Sequence, residues 1–91
     1  MRLDKYLKVS RIIKRRTVAN EACSGGRVML NGRVAKPGAE VKAGDQLSIR
    51  FGEHVGKYEI LSVAETVRKD QASGLFRILE EDSAVESERN Q

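Results

Sequence analysis

Gly25-Gly26-Arg27-Val28-Met29-Leu30-Asn31-Gly32-Arg33-Val34-Ala35 is the stretch on which the fold turns. Ahead of it, apolar residues recur at helical spacing. Within it, two short β-prone runs flank Asn31-Gly32. Asn-Gly is the strongest short hairpin signal, because both residues accept the left-handed backbone that a type I′ turn requires. Gly25-Gly26 suits the end of a preceding helix for a related reason, since glycine enters the left-handed region without a Cβ penalty. The chain therefore divides near residue 26 into a helical start and a β continuation.

Upstream, Leu3, Tyr6, Leu7 and Ser10 fall on one side at helical spacing, which predicts a helix over residues 2–10. Asp4 and Lys8 are four apart on it, where opposite charges can pair. A basic link, residues 11–16, leads to Thr17, which suits the N-cap of a second helix with Val18, Ala19, Ala22 and Cys23 as its apolar stripe. Cys23 reads as a small core residue rather than a nucleophile. Downstream, Lys36-Pro37-Gly38 breaks the chain, and residues 41–45 form a turn before a third strand over 46–51. Residues 52–56 read as a loop carrying an exposed His54, and residues 57–63 as a fourth strand with Tyr58, Ile60 and Ser62 on one face. Residues 75–79 are a compact apolar run that could be strand or helix. Residues 80–91 are acidic and poor in apolar side chains, which predicts a disordered tail. The expected fold class is α+β, with two short N-terminal helices packed on a small, mostly antiparallel sheet.

A chain of 91 residues is one domain, and with aromatics at 4% its core must come mainly from Val, Ile, Leu and Ala. One cysteine, Cys23, permits no internal disulfide, and with the single histidine, His54, it cannot build a multi-ligand Cys/His zinc site. No metal and no cofactor are expected. No apolar run approaches the roughly 18 residues of a membrane span, and the charged start lacks an apolar segment. These features lead to the expectation of a cytoplasmic monomer with no membrane partner and no small-molecule substrate. No Ser/His/Asp or Cys/His set and no phosphate-cradling glycine loop is evident, so an enzyme is not expected.

Charge is distributed unevenly. Residues 1–50 carry 12 Lys/Arg against 4 Asp/Glu, whereas residues 51–91 carry 5 against 9. A strongly basic half points to a polyanion partner, most often nucleic acid. The densest part is Arg2, Lys5, Lys8, Arg11, Lys14, Arg15 and Arg16, with Asp4 as the single acid among the first sixteen residues. Arg27, Arg33 and Lys36 would add cations at the edge of the hairpin. Arginine grips a phosphate through two parallel N–H bonds, and lysine acts as a point charge. Tyr6 and Phe51 read as core rather than a base-stacking platform, so folded RNA recognised through its backbone and shape is the expected ligand. Asp4 reads either as a first-turn acid favoured by the helix dipole or as a group that holds a neighbouring arginine. The competing readings are a solvated basic face, duplex DNA, and a protein-docking surface formed by residues 75–91.

The order of these pieces resembles the S4-type RNA-binding domain, named after a small-subunit ribosomal protein. The resemblance rests on Arg2-Leu3-Asp4-Lys5-Tyr6-Leu7, Arg15-Arg16-Thr17 and Ala19, then Gly26-Arg27-Val28, Leu30-Asn31-Gly32, Lys36-Pro37, Val41 and Gly44-Asp45. It covers residues 2 to about 51. Within that family the chain looks most like the small stand-alone bacterial members, which comprise a ribosome-associated quality-control group and a heat-shock group. The acidic end, with Glu80, Glu81, Asp82, Glu86 and Glu88, favours the first over the second. The resemblance implies an RNA-binding domain over 1–63 with its core at 2–51, a C-terminal extension over 64–79 packed on it, and the tail. It also implies binding to large-subunit ribosomal RNA and tRNA on obstructed large subunits. The function implied is support for C-terminal tailing of stalled chains beside a quality-control tailing factor, or in the heat-shock group, rescue of large subunits that carry nascent chains.

Overall fold

The computed structural model describes residues 1–81. Helix α1 spans Leu3–Val9 and helix α2 spans Arg16–Ser24. Strands β1 (Val28–Leu30), β2 (Arg33–Val34), β3 (Gln46–Phe51) and β4 (His54–Ile60) follow, then a 3-10 segment (Lys69–Leu75) and strand β5 (Phe76–Glu81). The five strands form one sheet in the order β2-β1-β3-β4-β5, and every pairing is antiparallel. This is the α+β arrangement expected from the sequence.

One face of the sheet packs against the helices. Along the ladders, Val28 pairs with Ile49 and Ile49 with Gly56, while Leu30 pairs with Leu47 and Leu47 with Tyr58. The apolar side chains of these rows meet Leu3, Tyr6, Leu7, Ile12, Ile13, Ala19, Ala22 and Cys23 in one core. Removing each large aliphatic side chain from water is worth about 1.5–3 kcal/mol. The expected helical stripe, Leu3, Tyr6, Leu7 and Ser10, is buried along its whole length. The Tyr6 hydroxyl donates to the Leu75 carbonyl oxygen at 2.7 Å, tying α1 to the residue that precedes β5.

The hairpin forms as expected, with Asn31 at φ 53° and Gly32 at φ 84°. Its turn is locked to the next one: Asn31 Nδ2 donates to Asp45 Oδ1 at 3.1 Å, and Asn31 Oδ1 accepts from the Gln46 amide at 2.9 Å. Strand β3 occupies the expected residues.

Several local expectations are corrected. Helix α2 begins at Arg16 rather than after a Thr17 cap, because the Arg15 carbonyl accepts from the Ala19 amide at 3.0 Å and closes the first turn early. Strand β4 starts at His54 and ends at Ile60. The five-residue loop shrinks to a two-residue turn with Gly52 at φ 62°, the pattern of a type II′ hairpin, so Gly56 and His54 lie within the strand. Gly56 sits under the Tyr58 ring, where an added Cβ would meet the phenol oxygen at 2.5 Å. Residues 76–81 are strand, which decides the open reading of the apolar run and carries Glu80 and Glu81 into the sheet. The rest of the expected tail, 82–91, lies outside the described residues.

Candidate nucleic-acid interface

The candidate interface is organised by a buried acid. Asp4 lies on the first turn of α1 with its side chain only 3% exposed. Two arginines converge on it from different elements. Arg2 donates from Nε to Oδ1 at 3.2 Å and from Nη2 to Oδ2 at 3.4 Å. Arg16, the first residue of α2, donates from Nη2 to Oδ1 at 3.5 Å. Asn20, one turn further along α2, donates Nδ2 to Oδ2 at 3.3 Å, and the Lys5 amide donates to Oδ1 at 2.8 Å. Burial by itself would raise the Asp4 carboxyl. The hydrogen bonds from Arg2 and Asn20, with the charges of Arg16 and Arg2, outweigh that and hold it below the usual carboxylate value.

Both guanidinium groups remain open to solvent, with side-chain exposures of 56% for Arg2 and 47% for Arg16. A guanidinium has five N–H donors. Arg2 directs two nitrogens at Asp4 and Arg16 one, so each keeps donors for a phosphate oxygen. Asp4 thus fixes two forks side by side. The expected Asp4–Lys8 pair is corrected: Asp4 is buried toward α2, whereas Lys8 is exposed.

The hairpin side reaches the same place through the backbone. The Leu3 amide donates to the Ala39 carbonyl at 2.8 Å and the Asp4 amide to the Pro37 carbonyl at 3.1 Å. These bonds set the loop carrying Lys36 against the start of α1, and the Arg2 guanidinium lies beside Gly38. Lys36 is exposed there.

The remaining cations spread around this centre. Lys8, Arg11, Lys14 and Arg15 are exposed on α1 and the link to α2. Arg11 follows α1 with φ 63°, a left-handed backbone that turns the chain toward α2. Lys5 is half-buried, and its ammonium pairs with Glu65 from the connector after β4. Arg27 is exposed at the base of β1, and Arg33 is exposed on the edge strand β2. The described contacts gather Arg2 and Arg16 on Asp4 with Lys36 alongside. They do not join Arg27 or Arg33 to that group.

Two partners escaped the sequence reading. Asn20 was accessible in principle, being four residues after Arg16 and so on the same helix face. Glu65 carried no local signal, because sixty residues separate it from Lys5. Cys23 is buried, and burial, with the charge of Asp4 as a second cause, pushes its thiol up to about 11, so it is a packed thiol at neutral pH. Among the described residues no group of three or more His, Cys, Asp or Glu is arranged to hold a metal ion, and no helix is long and apolar enough to cross a membrane.

The family model for the S4 domain matches residues 1–47, the stretch that contains both helices, the hairpin and the Asp4 cluster. The RQC P-site tRNA stabilizing factor of Halalkalibacterium halodurans is 56% identical over 88 residues, which cover 97% of this chain and 100% of that one. This chain belongs to the S4 domain family. A second relative, the RQC P-site tRNA stabilizing factor of Listeria innocua, is 53% identical over 96% of this chain and 95% of its own. Among solved structures, the trimeric Heat Shock Protein 15 of Vibrio cholerae superposes with a TM-score of 0.79 at 31% identity, over 99% of this chain and 89% of that one. The family expected from the ordered motifs is the family found. The two groups expected from the resemblance both appear by name among these relatives, the RQC P-site tRNA stabilizing factors at the higher identity.

Proposed function

We propose that this protein binds the large ribosomal subunit when a stalled peptidyl-tRNA remains on it, and holds that tRNA during C-terminal tailing of the chain. The observation that carries the reading is end-to-end identity above one half with an RQC P-site tRNA stabilizing factor. The Asp4-anchored pair Arg2 and Arg16 gives it a physical basis. In this reading Arg2, Lys5, Lys8, Arg11, Lys14, Arg15 and Arg16 touch RNA phosphates, and Arg27, Arg33 and Lys36 extend the contact along the hairpin. Ribosomal RNA and tRNA lie on different edges of one small rigid body. The protein acts as a monomer in the cytoplasm, next to a tailing factor, as a non-enzymatic component.

The contribution to the reaction is positional. The ribosome performs peptide transfer, and a rigid clamp lowers the entropy cost of keeping the tRNA aligned for it. The forks on Arg2 and Arg16 are ordered before RNA arrives, so less side-chain freedom is lost on binding. Deleting the gene and examining stalled chains on isolated large subunits tests this. Shortened or absent tails, with the protein co-purifying with large subunits in the parent strain, are expected. Unchanged tails, with the protein recovered away from large subunits, would overturn it.

A further inference from the structure

Two acids within the basic patch stand in opposite situations. Asp4 is buried and accepts hydrogen bonds from Arg2, Arg16, Asn20 and the Lys5 amide. Glu65 is 74% exposed, comes from the connector between β4 and the 3-10 segment, and pairs with the Lys5 ammonium. Its neighbours explain why it is placed there. Ala64 and Val67 are partly buried against the core, one on each side of Glu65-Thr66, so the backbone is anchored while the Glu65 side chain reaches over α1.

The same connector forms one wall of a cleft of about 80 Å³ lined by Lys8, Val9, Arg11, Glu65, Thr66 and Val67. Lys8 and Arg11 bring positive charge to its other wall, and Thr66 brings a hydroxyl. A carboxylate paired with Lys5 at the edge of a cleft that Lys8 and Arg11 also line occupies the kind of place a phosphodiester oxygen would take, since both are oxyanions that accept from the same donors. The Lys5 interaction holds the Glu65 carboxyl below its ordinary value, so the competing charge is present throughout the neutral range.

We propose that Glu65 is a built-in competitor for RNA: its carboxylate occupies the Lys5 position of a phosphate subsite between α1 and the 64–67 connector, and a correctly placed phosphodiester displaces it. This inference rests on the RNA-binding reading and deepens it. Lys5 then contributes to affinity only when RNA is seated deeply enough to take its charge from Glu65, which weakens loose attachment to unrelated polyanions. Because Glu65 is exposed and its backbone is held by its neighbours, its side chain can swing to water without disturbing the fold.

The test measures binding of the full chain to fluorescein-labelled tRNA by anisotropy at low salt, for wild type, Glu65→Gln, Lys5→Met and the double variant, with thermal melts confirming folding. Glu65→Gln is expected to tighten binding about two- to five-fold, the range for losing one exposed competing ion pair, and to do so by less than about 1.5-fold in the Lys5→Met background. No gain in the wild-type background, or an equal gain in both, would overturn the proposal while leaving RNA binding intact. Wild-type protein that fails to bind tRNA or ribosomal RNA at all would overturn the RNA-binding reading and this inference with it.

Discussion

Arg16 Nη2, on the first turn of α2, lies 3.5 Å from Oδ1 of Asp4, on the first turn of α1. The contact joins the two helices at the point where the chain is most basic. It also gives a buried carboxylate a structural task in the middle of a strongly basic surface, and that leads to an expectation opposite to simple charge counting.

Replacing Asp4 by Ala removes a negative charge from the patch, which by net charge alone would strengthen RNA binding. We expect weaker binding instead, because Arg2 and Arg16 lose the group that orients them. Stability should fall by about 1–3 kcal/mol, the usual cost when a buried polar network loses a member. RNA titration together with urea denaturation checks both effects. A tighter-binding Asp4→Ala protein would show that the cluster does not present the arginines.

Acid should remove the same stabilisation. The folded-state carboxyl of Asp4 lies below its ordinary value, so its contribution is fully present above the unfolded value of about 3.9 and is lost as pH falls through the lower folded value. Comparing wild type with Asp4→Asn from pH 7 downward should show a constant stability difference until about pH 4, then a narrowing one. A difference that grew on acidification would mean the folded carboxyl is raised rather than lowered.

Arg11 allows backbone and charge to be separated. Its φ of 63° is uncomfortable for any residue with a Cβ, and glycine adopts it freely. Arg11→Gly should leave stability unchanged or raise it by up to about 1 kcal/mol, while reducing the magnitude of the log–log salt slope of RNA binding by about 1 if one phosphate contact is lost. With roughly four to six phosphate contacts in all, the wild-type slope should be on the order of −3 to −5.

Gly56 tests the core without touching the interface. An alanine Cβ there would stand 2.5 Å from the Tyr58 oxygen and 2.9 Å from its ring carbon Cζ. Tyr58 is fully buried and meets Phe76 edge to face at 5.6 Å, so it has little room to withdraw. Gly56→Ala should cost about 1–3 kcal/mol, as overpacking does. Its residual folded population should bind RNA normally, which native-gel titration below the melting temperature measures.

The legible parts of the molecule were those written in local chemistry. Asn31-Gly32 specified its hairpin because few other residues tolerate that backbone. The stripe of Leu3, Tyr6 and Leu7 specified α1 because its spacing left one face to bury. The start of β4 was not legible, since a run with two glycines reads as a loop until one sees that Gly56 is kept bare by the Tyr58 ring. The arginines could be named as cations from sequence, but their convergence on Asp4 depends on how α2 docks against α1. Glu65 was invisible because its partner is sixty residues away.

We predict that Arg16 serves RNA more than it serves the fold. Arg16 is half-exposed, and Asp4 keeps Arg2, Asn20 and the Lys5 amide when it is removed, so the stability loss for Arg16→Ala should stay under about 1 kcal/mol. The most direct measurement is co-sedimentation of wild type and Arg16→Ala with large subunits that carry peptidyl-tRNA, run beside a thermal melt of each protein. We predict a folded Arg16→Ala protein that is largely lost from the subunit fraction. A variant that sediments with large subunits as the wild type does, or one whose binding defect is wholly explained by unfolding, would contradict the account.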